Sequence, residues 1–300
     1  MIKGLISPVL TPFNADLSVA KDLYIDLAQK LLSTGGCAGL APFGTTGEAL
    51  SVGIDERIDA LDALIDAGVD PSVMIPGTGL TNIVDTARLT RHAMDRGCHG
   101  AMILPAFYFK GVSDDGLYAY YSRLIEAVDH PQLKIYLYHI PQVSGVGLSP
   151  DLVARLHRDY PDIVVGIKDS SGDWENTSAL LDIKTLITYP GAELPVIEAI
   201  RLGAPGCISA TANLNGNGIA EVIDLCHAGK WDEAEKAHEK VRAIRLMFQD
   251  YAPIPAQKAL LARATGDKRW NTLRPPMMAM DEKGVVALET ALKEQFDFTV

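Results

Sequence analysis

Cysteine is scarce in this 300-residue chain, with Cys37, Cys98, Cys207 and Cys226 far apart and no Cys-x-x-Cys pair among them. That spacing suits reduced, mostly buried thiols better than a disulfide frame or a zinc site, so a cytoplasmic location is expected. Positive charge is also short. The 27 Lys and Arg against 38 Asp and Glu leave a formal net charge of −11, with the basic residues scattered. Neither nucleic acid nor an anionic membrane is therefore expected as a partner. No apolar run reaches the roughly 18–20 residues that span a bilayer. The segment Met1–Pro8 leads directly into a strand-like stretch and has no signal-peptide layout. The histidines show neither His-x-x-x-His nor His-Glu-x-x-His spacing, so no metal is expected.

What the chain does have is apolar content, 48% of its residues, arranged as a repeating alternation of short strand and amphipathic helix through about residue 225. Strands are predicted at Gly4–Leu10, Gly39–Phe43, Ser72–Gly77, Gly100–Leu104, Lys134–His139, Asp162–Asp169, Thr185–Tyr189 and Gly206–Ser209. Between them, Leu23, Leu27 and Leu31 or Ile58, Leu61 and Ile65 give helices one apolar face. Asn82 (or Thr81) and Ser149, the latter followed by Pro150, read as helix caps. Eight such units predict an α/β fold, a closed (β/α)₈ TIM barrel over residues 1–225. The competing doubly wound sheet would want a Gly-x-Gly-x-x-Gly turn after the first strand, and there is none. Residues 226–300 read as helices without strands, at Asp232–Gln249, Pro255–Ala264 and Asp281–Gln295, and are assigned to a C-terminal helical appendage.

The chemistry gathers at the strand ends. The run Ile163-Val164-Val165-Gly166-Ile167 is apolar enough for a strand covered on both faces, and it ends on Lys168. In an α/β barrel that end carries the reacting groups. A lysine packed there loses hydration, which favours its uncharged, nucleophilic form; a lysine snorkelling into water is the plainer alternative. Gly44-Thr45-Thr46-Gly47-Glu48 follows the second strand and offers two hydroxyls and free amides suited to a carboxylate or phosphate. Tyr138, closing the fifth strand, can relay a proton if it meets a hydroxyl such as Thr45. His139 should point away from Tyr138 by strand alternation and is read as structural. Phe107, Tyr108, Phe109 and Lys110 form an aromatic cluster with one cation, suited to an oligomer contact or a substrate wall.

Taken in order, Gly44-Thr45-Thr46-Gly47-Glu48, Tyr138-x-x-Pro141 and Gly166-Ile167-Lys168-Asp169 resemble the dihydrodipicolinate synthase / N-acetylneuraminate lyase family of Schiff-base aldolases, as does Gly203–Ser209. The resemblance covers essentially the whole chain. It implies that Lys168 forms an imine with pyruvate, that Tyr138 and Thr45 move protons, and that the site needs no cofactor beyond that covalent imine. It places Thr46, Gly47, Ile208, Gly191 and Val143 against substrate. It also implies a homotetramer of tight dimers, with Tyr108 reaching the partner's site. Two departures bear on the substrate. Val143 stands where the lysine-pathway synthases carry an arginine for a dicarboxylic substrate, and Tyr189–Glu193 lacks the paired acids of the sialic-acid lyases. The expected distal surface mixes Val143 and Phe107 with Lys110 and Glu193. The function expected is a lyase that joins or splits pyruvate and an aldehyde through a 2-keto-3-deoxy acid. The alternatives are dihydrodipicolinate synthase or a sugar-acid dehydratase using the same imine.

Overall fold

The computed structural model describes residues 1–300. The chain begins with strand β1 (Gly4–Ser7), helix α1 (Lys21–Ser33), the short strand β2 (Gly39–Leu40) and helices α2 (Ile54–Asp66) and α3 (Ile83–Asp95). It continues through β3 (Ala101–Ile103), α4 (Asp114–Val128), β4 (Ile135–His139), the one-turn α5 (Pro141–Ser144), α6 (Pro150–Asp159) and β5 (Val164–Asp169). Then come α7 (Trp174–Leu181), β6 (Ile187–Pro190), α8 (Val196–Arg201), β7 (Gly206–Ile208) and α9 (Ala212–His227). Helices α10 (Trp231–Gln249), α11 (Pro253–Thr265) and α12 (Glu282–Phe296) complete it. No helix is long and apolar enough to cross a membrane. The two predicted caps form as read: Asn82 accepts from Asp85 N and Ser149 from Leu152 N.

All strand pairs are parallel, in the neighbour orders β2-β1-β7 and β3-β4-β5-β6. The predicted third strand, Ser72–Gly77, is corrected. Residues 71–73 form a 3₁₀ turn capped by Asp70, and only the bridges Leu40↔Met74 and Gly77↔Met102 join the stretch to its neighbours. Pro71 and Pro76 have no N–H to give a ladder. Ile75 N still donates to Leu40 O, and Met102 N to Pro76 O, so the ring is continuous there. The ring is not closed by a ladder between β6 and β7, whose facing edges do not pair. Side chains cross that seam instead: Ser209 and Thr211 both donate to the buried Glu193 carboxylate in the loop after β6. The fold is thus a (β/α)₈ barrel with seven regular strands, one bridged segment and C-terminal helices packed beside it.

Two apolar layers result. Leu, Ile and Val from the outer strand faces and inner helix faces make the large core. Inside the barrel, Ile6, Ala41, Ile75, Met102, Tyr136 and Ile208 fill the axis, with Tyr189 donating to Ile2 O at 2.5 Å near the floor. The mouth is left to polar groups. A third cluster, with Ile244, Phe248, Leu260 and Leu288 at its centre, ties α10, α11 and α12 together.

Candidate active site

Strand register brings the central groups together. On β4 and β5, Tyr138 lies directly opposite Lys168, and Lys168 lies opposite Tyr189 on β6. Neighbours in register on parallel strands point to the same side, here into the barrel. Lys168 is 4% exposed; its Nζ donates to Tyr138 Oη at 3.4 Å and sits 4.5 Å from the centre of that ring. Tyr138 Oη in turn shares a hydrogen bond with Thr45 Oγ1 at 3.1 Å. The carboxylate next to the lysine is kept from it. Asp169 faces the other side and accepts from Ser171 N, Asn176 Nδ2 and Thr177 Oγ1. The amine therefore meets a phenol and a π-face rather than an ion-pair partner.

The loop after β2 is shaped at both ends by backbone in the left-handed region, Phe43 at φ 57° and Glu48 at φ 54°. Such angles persist in side-chain-bearing residues only where the surroundings impose them. Gly77 is part of that imposition, because a Cβ there would lie 2.1 Å from Phe43 O. The amides of Thr45 and Thr46 find no acceptor within the chain, which leaves donors for an anion.

A cavity of about 830 Å³ opens over Lys168, lined by Thr45, Thr46, Tyr138, Trp174 and Gly191. A smaller one of about 230 Å³ lies on the other side of Tyr138 and Thr45, walled by Leu50, Phe107, Val143 and Met277. The expected distal surface is thereby corrected. Val143 and Phe107 belong to the smaller apolar cavity. Lys110 is turned onto the carbonyls of Phe107 and Ser144, and Glu193 is buried in the β6–β7 seam. The far wall of the large cavity is supplied by Arg242, Arg245 and Gln249 of α10. Sequence reading missed these three, although Arg242 and Arg245 flank the apolar Val241, Ile244 and Phe248 at helical spacing.

Of the other expected contacts, Thr46 and Gly191 line the cavity. Gly47 and Ile208 do not. Gly47 accepts from Thr11 Oγ1 through its carbonyl, and Ile208 fills the barrel axis below. Tyr108 is 74% exposed, edge-on to Phe109, and lines neither cavity of its own chain. His139 points away from Tyr138 as expected, accepting from Leu148 N at 2.8 Å, and burial lowers its pKa.

A parallel barrel with a buried lysine at a strand's C-terminal end, linked to a phenol and a hydroxyl, defines a Schiff-base-forming lyase of the class I aldolase type. The chain belongs to the dihydrodipicolinate synthetase family, whose model matches residues 1–295. It is 34% identical over 280 residues to a 4-hydroxy-tetrahydrodipicolinate synthase of Thermus thermophilus, covering 92% of this chain and 91% of that one. Among solved structures, a dihydrodipicolinate synthase from Agrobacterium tumefaciens superimposes with a TM-score of 0.89 at 34% identity, covering 98% and 99% of the two chains. A prophage protein of the same family from E. coli, solved in complex with pyruvate, gives a TM-score of 0.89 at 26% identity over 99% of each chain.

Proposed function

We propose that Lys168 is the imine-forming residue and that the protein reversibly cleaves a 2-keto-3-deoxy acid into pyruvate and an aldehyde. One observation carries the reading: the continuous chain Lys168 Nζ, Tyr138 Oη, Thr45 Oγ1 at the barrel mouth. The free amides and hydroxyls of Thr45 and Thr46 hold the keto-acid carboxylate, which sets the keto carbon in line with the amine. Nζ adds to that carbon, water leaves, and the C=N bond forms with its nitrogen protonated. In the cleavage direction Tyr138 Oη, relayed by Thr45, takes the proton of the hydroxyl on the aldehyde-side carbon of the reacting bond. The carbon–carbon bond breaks, its electron pair moves into the imine to give an enamine, and the aldehyde departs. Reprotonation of the enamine and addition of water release pyruvate and the amine, so no metal or organic cofactor enters.

The exposed apolar set Leu50, Tyr108, Phe109 and Val143 supports assembly of tight dimers into a homotetramer in the cytoplasm, with Tyr108 of one subunit reaching the neighbouring site. A second reading, condensation of pyruvate with a semialdehyde as in dihydrodipicolinate synthase, is favoured by the names of the relatives; product analysis separates the two, since only cleavage releases pyruvate. The test common to both is incubation with pyruvate and borohydride followed by mass measurement. A single reduced adduct is expected, mapped to Lys168 and absent from Lys168→Ala. No adduct on the unaltered protein overturns the proposal.

A further inference from the structure

The large cavity is far roomier than a three-carbon keto acid requires, at about 830 Å³. Its far wall is therefore built for the other end of the substrate. That wall comes from α10, where His238, Arg242, Arg245 and Gln249 follow one another at i, i+4, i+7 and i+11, along one helical stripe. His238 fixes the stripe against the barrel: its Nε2 hydrogen-bonds Glu193 O at 2.9 Å, in the loop after β6. Arg242, Arg245 and Gln249 all line the cavity that holds Lys168.

Neither arginine has an anion. Arg201, Arg263, Arg269 and Arg274 each hold a carboxylate, whereas Arg242 and Arg245 hold none. Arg242 is exposed and Arg245 half-buried, and Arg245 Nε is itself buried and donates to nothing. A buried guanidinium donor without an acceptor is costly, and a planar fork of such donors matches the oxygens of a carboxylate or phosphate. The acids in the same wall do not fill that need. Asp169 and Asp173 accept from their own loop and from α7, and Glu198 is exposed and pairs with no cation.

The geometry points to an anionic subsite: Arg242 and Arg245 bind a carboxylate or phosphate at the aldehyde-derived end of the substrate, opposite the keto-acid carboxylate held by the Thr45–Thr46 loop. The substrate is then a doubly anionic keto acid with its reacting carbons suspended between two clamps. This inference rests on Lys168 being the imine-forming residue.

The experiment measures pyruvate consumption with four aldehydes: D-glyceraldehyde, D-glyceraldehyde 3-phosphate, butanal and succinate semialdehyde. The unaltered protein is expected to favour at least one anionic member over its neutral counterpart by about tenfold or more in kcat/KM. Preference within the anionic pair tells phosphate from carboxylate. In Arg242→Gln and Arg245→Gln the KM for the anionic aldehyde rises about tenfold, kcat changes little, and the neutral aldehyde is affected far less. Folding is checked by the borohydride-trapped pyruvate adduct, which both variants retain. Equal losses on neutral and anionic aldehydes, or no preference in the unaltered protein, overturn the subsite while leaving the lysine assignment standing. Loss of the adduct from the unaltered protein removes the lysine assignment and the subsite with it.

Discussion

Lys258 of α11 and Glu48 of the loop after β2, 210 residues apart, form an ion pair with both side chains completely buried. The pair fastens a C-terminal helix to the loop that carries Thr45 and Thr46, and it sits at the residue held in the left-handed region. Burial pushes the Glu48 carboxyl up and the Lys258 amine down, while their contact opposes both shifts. Each is tolerable there because of the other.

Lys258→Met therefore leaves a buried carboxylate without its cation and is expected to destabilise the fold by about 3–5 kcal/mol. Urea unfolding measures it. The double variant Lys258→Met with Glu48→Gln should regain a large part of that loss, because two neutral groups need no pairing. A single variant as stable as the parent would show that the pair does not hold the loop.

Tyr138→Phe removes the one hydroxyl standing between Lys168 and Thr45. Turnover is expected to fall by about 10²–10⁴, the range for loss of a positioned proton carrier. Rapid-quench borohydride trapping should show the pyruvate adduct still forming, but more slowly. Thr45→Val should lower turnover less, since Tyr138 remains against the amine.

Gly191→Ala tests how tightly the loops after β5 and β6 fit. A Cβ at Gly191 would lie 1.9 Å from Ser170 Oγ and 2.8 Å from Ser170 Cα, so the backbone after Lys168 has to shift. A displacement of that order beside a reacting amine is expected to cost about 10²-fold in kcat/KM. Steady-state kinetics with an unchanged far-ultraviolet circular dichroism spectrum would check it.

Acid should weaken the fold through His139. Its ordinary value is 6.5, and burial lowers it in the folded chain, with Asp169 and Asp173 partly opposing. Between the lowered value and about 6.5 the unfolded chain binds the extra proton, so this stability is complete above the window and lost as the pH falls through it. Protonation of Nδ1 also removes the acceptor that Leu148 N uses. Melting temperatures between pH 7.5 and 5 should decline, and His139→Asn should flatten the slope in part. His99, also lowered by burial, keeps its share.

Much of the barrel was legible because its signals are local. Asn82 and Ser149 cap helices from within the same turn, and apolar alternation marks seven strands to within a few residues. The stretch 72–77 misled for an equally local reason: its apolar residues read as a strand, while Pro71 and Pro76 remove the donors that a ladder needs. Lys168, Tyr138 and Thr45 could be picked out as strand-end residues, and parallel register then fixes Tyr138 opposite Lys168. Tyr108 shows the limit, since it is exposed and lines neither cavity, and the contacts within one chain assign it no part in the site.

The sequence by itself determined the order of strands and helices and the chemical types waiting at the strand ends, because periodicity and capping act over a few residues. Only the tertiary structure decided that Arg242 and Arg245 face the lysine's cavity, that Lys258 locks Glu48, and that Glu193 bridges the unpaired seam. Those relationships depend on how a helix is rotated and docked onto a distant loop. Packing across the whole molecule sets that rotation, and no short stretch of chain encodes it.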